Sequence, residues 1–128
     1  MIVADSDVLI DYLQGREPGR SAVTDALLRG DIATTSVSRF EVLAGTRRSE
    51  DRDRALDLLG AMPTLPLGEA EADRAGGIAS ALEAKGLRIG PADCLIAGIV
   101  LSRDASLLTR NGEHFGRVEG LRIEPLGG

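Results

Sequence analysis

Four carboxylates, Asp5, Asp7, Glu41 and Asp93, stand where a carboxylate needs a reason. Asp5 and Asp7 follow at once on the apolar run Ile2-Val3-Ala4. Glu41 shares a helical face with Val37 and Ala44. Asp93 leads the stripe Asp93, Ile96, Ala97, Val100, spaced i, i+3, i+4, i+7. A carboxylate buried without a partner is costly, so it takes up a proton or finds a cation. Several converging acids call for a divalent metal, and an oxygen-only set suits Mg²⁺ or Mn²⁺ rather than zinc, which prefers Cys and His. Each acid also has a local reading. Asp5 and Asp7 fit a strand end and a helix cap. Glu41 stands three residues after Ser38, the spacing of a capping box. Asp93 falls in the first turn after Pro91, where the helix dipole favours an acid. Their joint placement lifts them above these readings.

The elements that must position them are legible as alternating strands and helices. Ile2-Val3-Ala4, Ile32-Ala33-Thr34-Thr35, Ser106-Leu107-Leu108-Thr109 and Leu121-Arg122-Ile123-Glu124 read as strands, with Leu65-Pro66-Leu67 a brief one that proline confines to an edge or a strand end. Ser6 or Asp7 is expected to cap a helix fading at Gly15. Pro18 opens a second, with Ala22, Val23, Ala26 and Leu27 as its stripe, ending at Gly30. Further helices are expected over 36–44, from a Ser49 cap to Pro63, over 69–85 with Ala75, Ile78, Ala79 and Leu82 inward, and from Pro91 through Leu101. Alternation of this kind implies a parallel sheet covered on both faces, in one domain spanning 1–128. Ligands bind such sheets beyond the carboxyl ends of the strands. Asp5 and Asp7 fall there, as do Thr109, Arg110 and Asn111. Asp11 is expected on the exposed face of its helix, Asp104 and Glu113 as solvated loop charges, Cys94 in or near the core, and His114 at the surface or in packing.

Composition narrows the chemistry. The 128 residues carry a net charge of −5 and 2% aromatics, with one His and one Cys. Base-stacking platforms need aromatics, and zinc or disulfide scaffolds need more Cys and His. Binding nucleic acid by charge alone normally takes a basic protein. No basic leader or long apolar run is visible, so a cytoplasmic protein without membrane contact is expected. Fourteen of the fifteen cationic residues are Arg, and Lys85 is the other.

Four segments together resemble the PIN-domain ribonucleases, specifically the VapC-type toxins of bacterial toxin–antitoxin pairs. They are Met-Ile-Val-Ala-Asp5-Ser6-Asp7-Val-Leu-Ile, Ser-Arg-Phe-Glu41-Val-Leu-Ala-Gly45, Asp93-Cys-Leu-Ile-Ala97 and Leu-Leu-Thr109-Arg110-Asn111-Gly-Glu-His-Phe115, in the family's order over essentially the whole chain. The resemblance implies a three-layer α/β/α sandwich around a parallel sheet of four to five strands. It implies a metal-dependent endoribonuclease, a homodimer, and a VapB-type antitoxin bound across the site. It maps the family's acids to Asp5, Glu41 and Asp93. Asn111 stands where a fourth acid is often found, and Asp7 could restore that charge. Asp5 and Asp93 would be direct ligands of Mg²⁺ or Mn²⁺, Glu41 a direct or water-mediated one. The metal would polarise the scissile phosphate and activate a water. Ser6 and Thr109 could orient carboxylates or waters, and Arg39 and Arg110 are the candidates for RNA phosphate.

Two other readings are open at this point. A receiver-type phosphoacceptor domain has this length and Mg²⁺-binding acids after its first strand, but needs an Asp after its third strand and a Lys after its fifth. An inactive PIN scaffold that binds RNA or protein is favoured only by Asn111.

Overall fold

The computed structural model describes residues 1–126. Five parallel strands, β1 (Ile2–Ala4), β2 (Ile32–Thr35), β3 (Thr64–Leu65), β4 (Ser106–Leu108) and β5 (Arg122–Ile123), form one sheet in the order β3-β2-β1-β4-β5. The first strand of the chain is therefore the central one. Ile2 to Ala4 register against Ile32 to Thr34 on one side and Ser106 to Leu108 on the other. Strand alternation divides the core into two layers. Val3, Ala33 and Leu107 join Ile96, Ile99, Val100, Leu82 and Phe115 in one. Ile2, Ala4, Ile32 and Leu108 join Val8, Leu9, Val23, Ala26, Ala55 and Leu59 in the other. The central strands are buried on both faces, which is why they read as unbroken apolar runs. The expected α/β/α sandwich is the observed one.

Seven helices complete the described chain: α1 (Ser6–Gln14), α2 (Gly19–Arg29), α3 (Ser36–Ala44), α4 (Ser49–Gly60), α5 (Glu69–Ala84), α6 (Pro91–Ser102) and α7 (Gly112–Phe115). α3 spans the layers, since Val42 packs in one core and Val37 against the other. Left-handed glycines close α1 and α2 at Gly15 and Gly30. Four local expectations change. α1 is capped by Asp5 rather than Ser6 or Asp7. Ser49 is the first residue of α4, and no side chain caps that helix. β3 sits one residue early, at the sheet edge, with Pro66 just beyond it. Ala79 is exposed, because α5 buries only the line of Ala75 and Leu82 with Ile78 partly covered.

α5 and α6 approach closely because Gly98 has no side chain. A Cβ there would come within 2.7 Å of the Glu71 carbonyl oxygen and 3.0 Å of Ala75 Cβ. Gly98→Ala is therefore expected to cost about 1–3 kcal/mol by overpacking. Gly77→Ala, in α5 with open space around it, is expected to stabilise by about 0.5–1 kcal/mol through helix propensity and unfolded-state entropy. Urea denaturation of both variants checks the contrast in sign.

Candidate active site

β1 ends at Ala4, and the chain turns directly into α1. Asp5 is the hinge of that turn. Its main-chain N–H donates to the Leu108 carbonyl across β4, and its side chain caps α1 by accepting the Ser6 N–H at 2.8 Å. The residue is only 6% exposed. Its other carboxylate oxygen accepts the Thr109 hydroxyl at 2.8 Å, and the Ser38 hydroxyl lies 3.4 Å from the first. Every donor to Asp5 is neutral.

The other acids gather around it. Asp7 Oδ1 accepts the Val8 N–H at 2.7 Å, and Oδ2 accepts the Arg110 N–H at 2.8 Å. Asp7 Oδ2 also lies 3.3 Å from Thr109 Oγ1, so one hydroxyl proton serves two carboxylates and favours Asp5. Glu41 reaches back from α3 and accepts the Ser6 hydroxyl at 3.0 Å. The capping-box spacing with Ser38 is not used: Thr35 caps α3 by accepting the Ser38 N–H. Asp93, in the first turn of α6, accepts the Asn111 side-chain amide at 3.3 Å. Asn111 in turn donates its main-chain N–H to Thr109 Oγ1 at 3.0 Å. Asp5, Ser6, Asp7, Glu41, Asp93, Thr109 and Asn111 thus meet at one rim, as the topology rule requires.

Electrostatics mark the acids as mutually strained. Burial, then the Asp7 charge, with a smaller push from Glu41, raises the Asp5 carboxyl from 3.8 to about 7. Burial raises Asp7 as well, against its amide donors and Arg110. Asp93 is raised by burial and by the charges of Glu41 and Asp7, with His114 opposing. The donor set is hard oxygen and short of positive charge, a chemistry that suits a divalent cation. The side chains as they stand do not form a closed cage. Among the described residues, no three Asp, Glu, His or Cys side chains converge enough to hold one ion. Glu41 is turned onto Ser6, Asp93 onto Asn111 and Asp7 onto two amides. Ligation of one ion would require Glu41 and Asp93 to rotate off these neutral partners. Asp7, both of whose oxygens accept amides, contributes charge more readily than a ligand atom.

Two residues depart from expectation, and a third keeps its place. Asp11 is not exposed: it is buried, accepts the Gly19 N–H and pairs with Arg110. Its place one turn after Asp7 on α1 was the available signal. Arg39 turns away from the acids and donates to Thr64 Oγ1 at 3.2 Å on the edge strand β3, so it is not aimed at the site. Arg110 is at the rim, with its guanidinium engaged by Asp11. Asp104, Glu113 and His114 are exposed, and Cys94 is buried, its thiol pushed up by burial. β3 is followed by Pro66-Leu67-Gly68, which offers no phosphorylatable Asp.

A parallel α/β domain with an acidic rim at the carboxyl ends of its strands is the class to which PIN domains belong, and a family model for the PIN domain matches residues 2–121. The chain belongs to the PIN-domain family. Its relatives there are VapC ribonucleases. It is 36% identical over 122 residues to ribonuclease VapC10 of Mycobacterium tuberculosis, covering 95% of this chain and 91% of that one. It is 32% identical over 102 residues to the tRNA(fMet)-specific endonuclease VapC of Shigella flexneri, covering 77% of each. Among solved structures, VapBC-1 from nontypeable Haemophilus influenzae matches with a TM-score of 0.80 at 27% identity over 98% of both chains. VapBC2 from Rickettsia felis bound to a promoter DNA fragment shares the fold, with a TM-score of 0.83 at 24% identity over 97% of this chain and 98% of that one.

The raised Asp5 carboxyl fixes a sign. The folded, metal-free protein holds a proton on Asp5 that the unfolded chain releases near 3.8, so stability falls as pH rises from about 4 to about 7. Asp5→Asn removes that penalty, and its amide can donate to Thr109 Oγ1 while the hydroxyl turns to Asp7. In EDTA, melts followed by circular dichroism are expected to show wild type losing about 2–4 kcal/mol more than Asp5→Asn between pH 5 and pH 8. Parallel pH profiles would remove the strain assigned to Asp5.

Proposed function

We propose that this chain is the toxin of a type II toxin–antitoxin pair, an endoribonuclease that hydrolyses RNA phosphodiester bonds with Mg²⁺ or Mn²⁺. The observation that carries this reading is the cluster of Asp5, Glu41 and Asp93, buried or half-buried, raised in pKa at Asp5 and Asp93, and without one ion pair to a cationic side chain. The names of the relatives, a VapC ribonuclease and a tRNA-specific VapC endonuclease, support RNA as substrate.

Asp5, Asp93 and Glu41 would hold the cation, with Asp7 adding negative charge. A bound Mg²⁺ or Mn²⁺ supplies positive charge at the scissile phosphate and lowers the pKa of water. Ser6 and Thr109 orient Glu41 and Asp5 through their hydroxyls. Asn111 orients Asp93 and, being neutral, can present its amide to a water or phosphate oxygen. Arg110 is the phosphate-binding cation of the rim. Arg39 is held at the edge strand and is set aside. Solved VapBC complexes among the structural matches support a VapB-type antitoxin as partner, and a homodimer in the cytoplasm completes the proposal. No helix among the described residues is long and apolar enough to cross a membrane.

Purified full-length protein is expected to cleave structured RNA with Mg²⁺ or Mn²⁺ and to stop in EDTA. Asp93→Asn should lose more than the roughly 10–100-fold typical of removing an outer-sphere partner of a metal. Cleavage in EDTA, or full activity in Asp93→Asn, would falsify the metal assignment. An inactive scaffold that binds RNA is distinguished by retained RNA binding with no cleavage under any divalent cation.

A further inference from the structure

Asp11 is buried, with 4% of its side chain exposed, on a helix that already places Asp7 one turn earlier. Its Oδ2 accepts the N–H of Gly19, the first residue of α2, at 3.2 Å and lies 3.1 Å from Arg110 Nε. The start of α2, positive by its free N–H groups, and a guanidinium thus converge on one carboxylate. Position 19 is glycine for the same reason: a Cβ there would overlap the Asp11 side chain.

Arg110 spans both acids of α1. Its main-chain N–H donates to Asp7 Oδ2 at 2.8 Å, and its Nε faces Asp11. Its neighbours reach two further acids, Thr109 to Asp5 and Asn111 to Asp93. The ion pair to Asp11 is the point at which this three-residue segment is tied to a buried group outside the acid cluster. The Arg110 side chain is still 48% exposed, so pairing at Nε fixes its direction and leaves guanidinium surface open beside the acids. A guanidinium held in one direction binds phosphate with less loss of side-chain freedom than a mobile one.

We propose that Asp11 is a positioning residue of the active site, which aims Arg110 at an RNA phosphate next to the scissile one. The inference rests on the ribonuclease reading for its substrate and on the Asp11–Arg110–Asp7 geometry for its mechanism. Asp11 touches no substrate; it acts through Arg110.

Three variants of the full chain test it: Asp11→Asn, Arg110→Gln and the double variant. Asn keeps an acceptor for the Gly19 N–H and removes the charge. Asp11→Ser, smaller and still an acceptor, is the second choice if Asn does not fold by circular dichroism. RNA cleavage with Mn²⁺ gives KM and kcat, and binding of a short structured RNA in EDTA gives affinity against salt. Asp11→Asn is expected to raise KM about tenfold, the scale of one charge-assisted contact, with most of the loss of kcat/KM carried by KM. The slope of log affinity against log salt should fall by about one, as for loss of one phosphate contact. Arg110→Gln should do the same, and the double variant should be no worse than Arg110→Gln alone, the signature of residues acting through one another. Additive losses overturn the proposal, as does an Asp11→Asn protein with a lowered melting temperature but wild-type KM and salt slope. Wild type that binds RNA in EDTA but does not cut it under any divalent cation overturns the nuclease reading and leaves the Asp11 proposal to be decided by the binding arm. Wild type that neither binds RNA nor cuts it, in EDTA or with Mg²⁺ or Mn²⁺, overturns both.

Discussion

Crowding negative charge into a poorly solvated rim is the constraint on which the rest of this structure depends. Asp5 lies at the end of the central strand, almost fully buried, with the charges of Asp7 and Glu41 pressing on it. A folded chain could relieve that pressure with a lysine or an arginine. It uses instead the Ser6, Ser38 and Thr109 hydroxyls and the Asn111 amide, which satisfy oxygens without cancelling charge. Neutral donors leave the negative charge of the cluster uncancelled, and the cost is a fold less stable than it need be. The sheet bears that cost: β1 is paired on both edges and buried on both faces, so the backbone of Asp5 has nowhere else to go.

Much of this was legible in the sequence, for identifiable reasons. Fully buried parallel strands are apolar runs, so β1, β2 and β4 were found nearly to the residue. Amphipathic stripes closed by Gly15, Gly30 and Gly45 marked the helices around them. Five of the polar residues were placed by the rule that sites form beyond strand ends, and Glu41 and Asp93 by the mismatch between an acid and its apolar helical face. The helix α7 was not found, because four residues carry no period; Phe115, fully buried, is what holds it. Ser38 and Glu41 have the spacing of a capping box, the local alternative for Glu41, yet Thr35 does the capping of α3. Spacing along the chain cannot tell which of two neighbouring hydroxyls an amide will find.

Cations were harder to place than anions. Arg39 precedes Glu41 by two positions, yet successive side chains on a helix diverge, and its guanidinium ends at Thr64 on the edge strand. Arg110 stayed at the rim because its own backbone is pinned by Asp7 and its side chain by Asp11. The net charge of −5 therefore says little about the site by itself. What matters is that, among the described residues, the ion pair at the rim joins Arg110 to Asp11 and leaves the cluster acids without a salt bridge.

The order of the strands also has a consequence in time. The hydrogen bond from Thr109 to Asp5 joins residues 104 apart, and the one to Asp93 comes from Asn111, the residue that opens α7. During synthesis the amino-terminal part emerges first. A nascent chain holding Asp5 and Glu41 has no β4 to close β1, no Thr109 to steady Asp5 and, until α6 is made, no Asp93. The acidic rim is assembled only once the chain has been made through Asn111. For a protein proposed to cut RNA, this topology withholds the complete rim from any chain that stops short of Asn111.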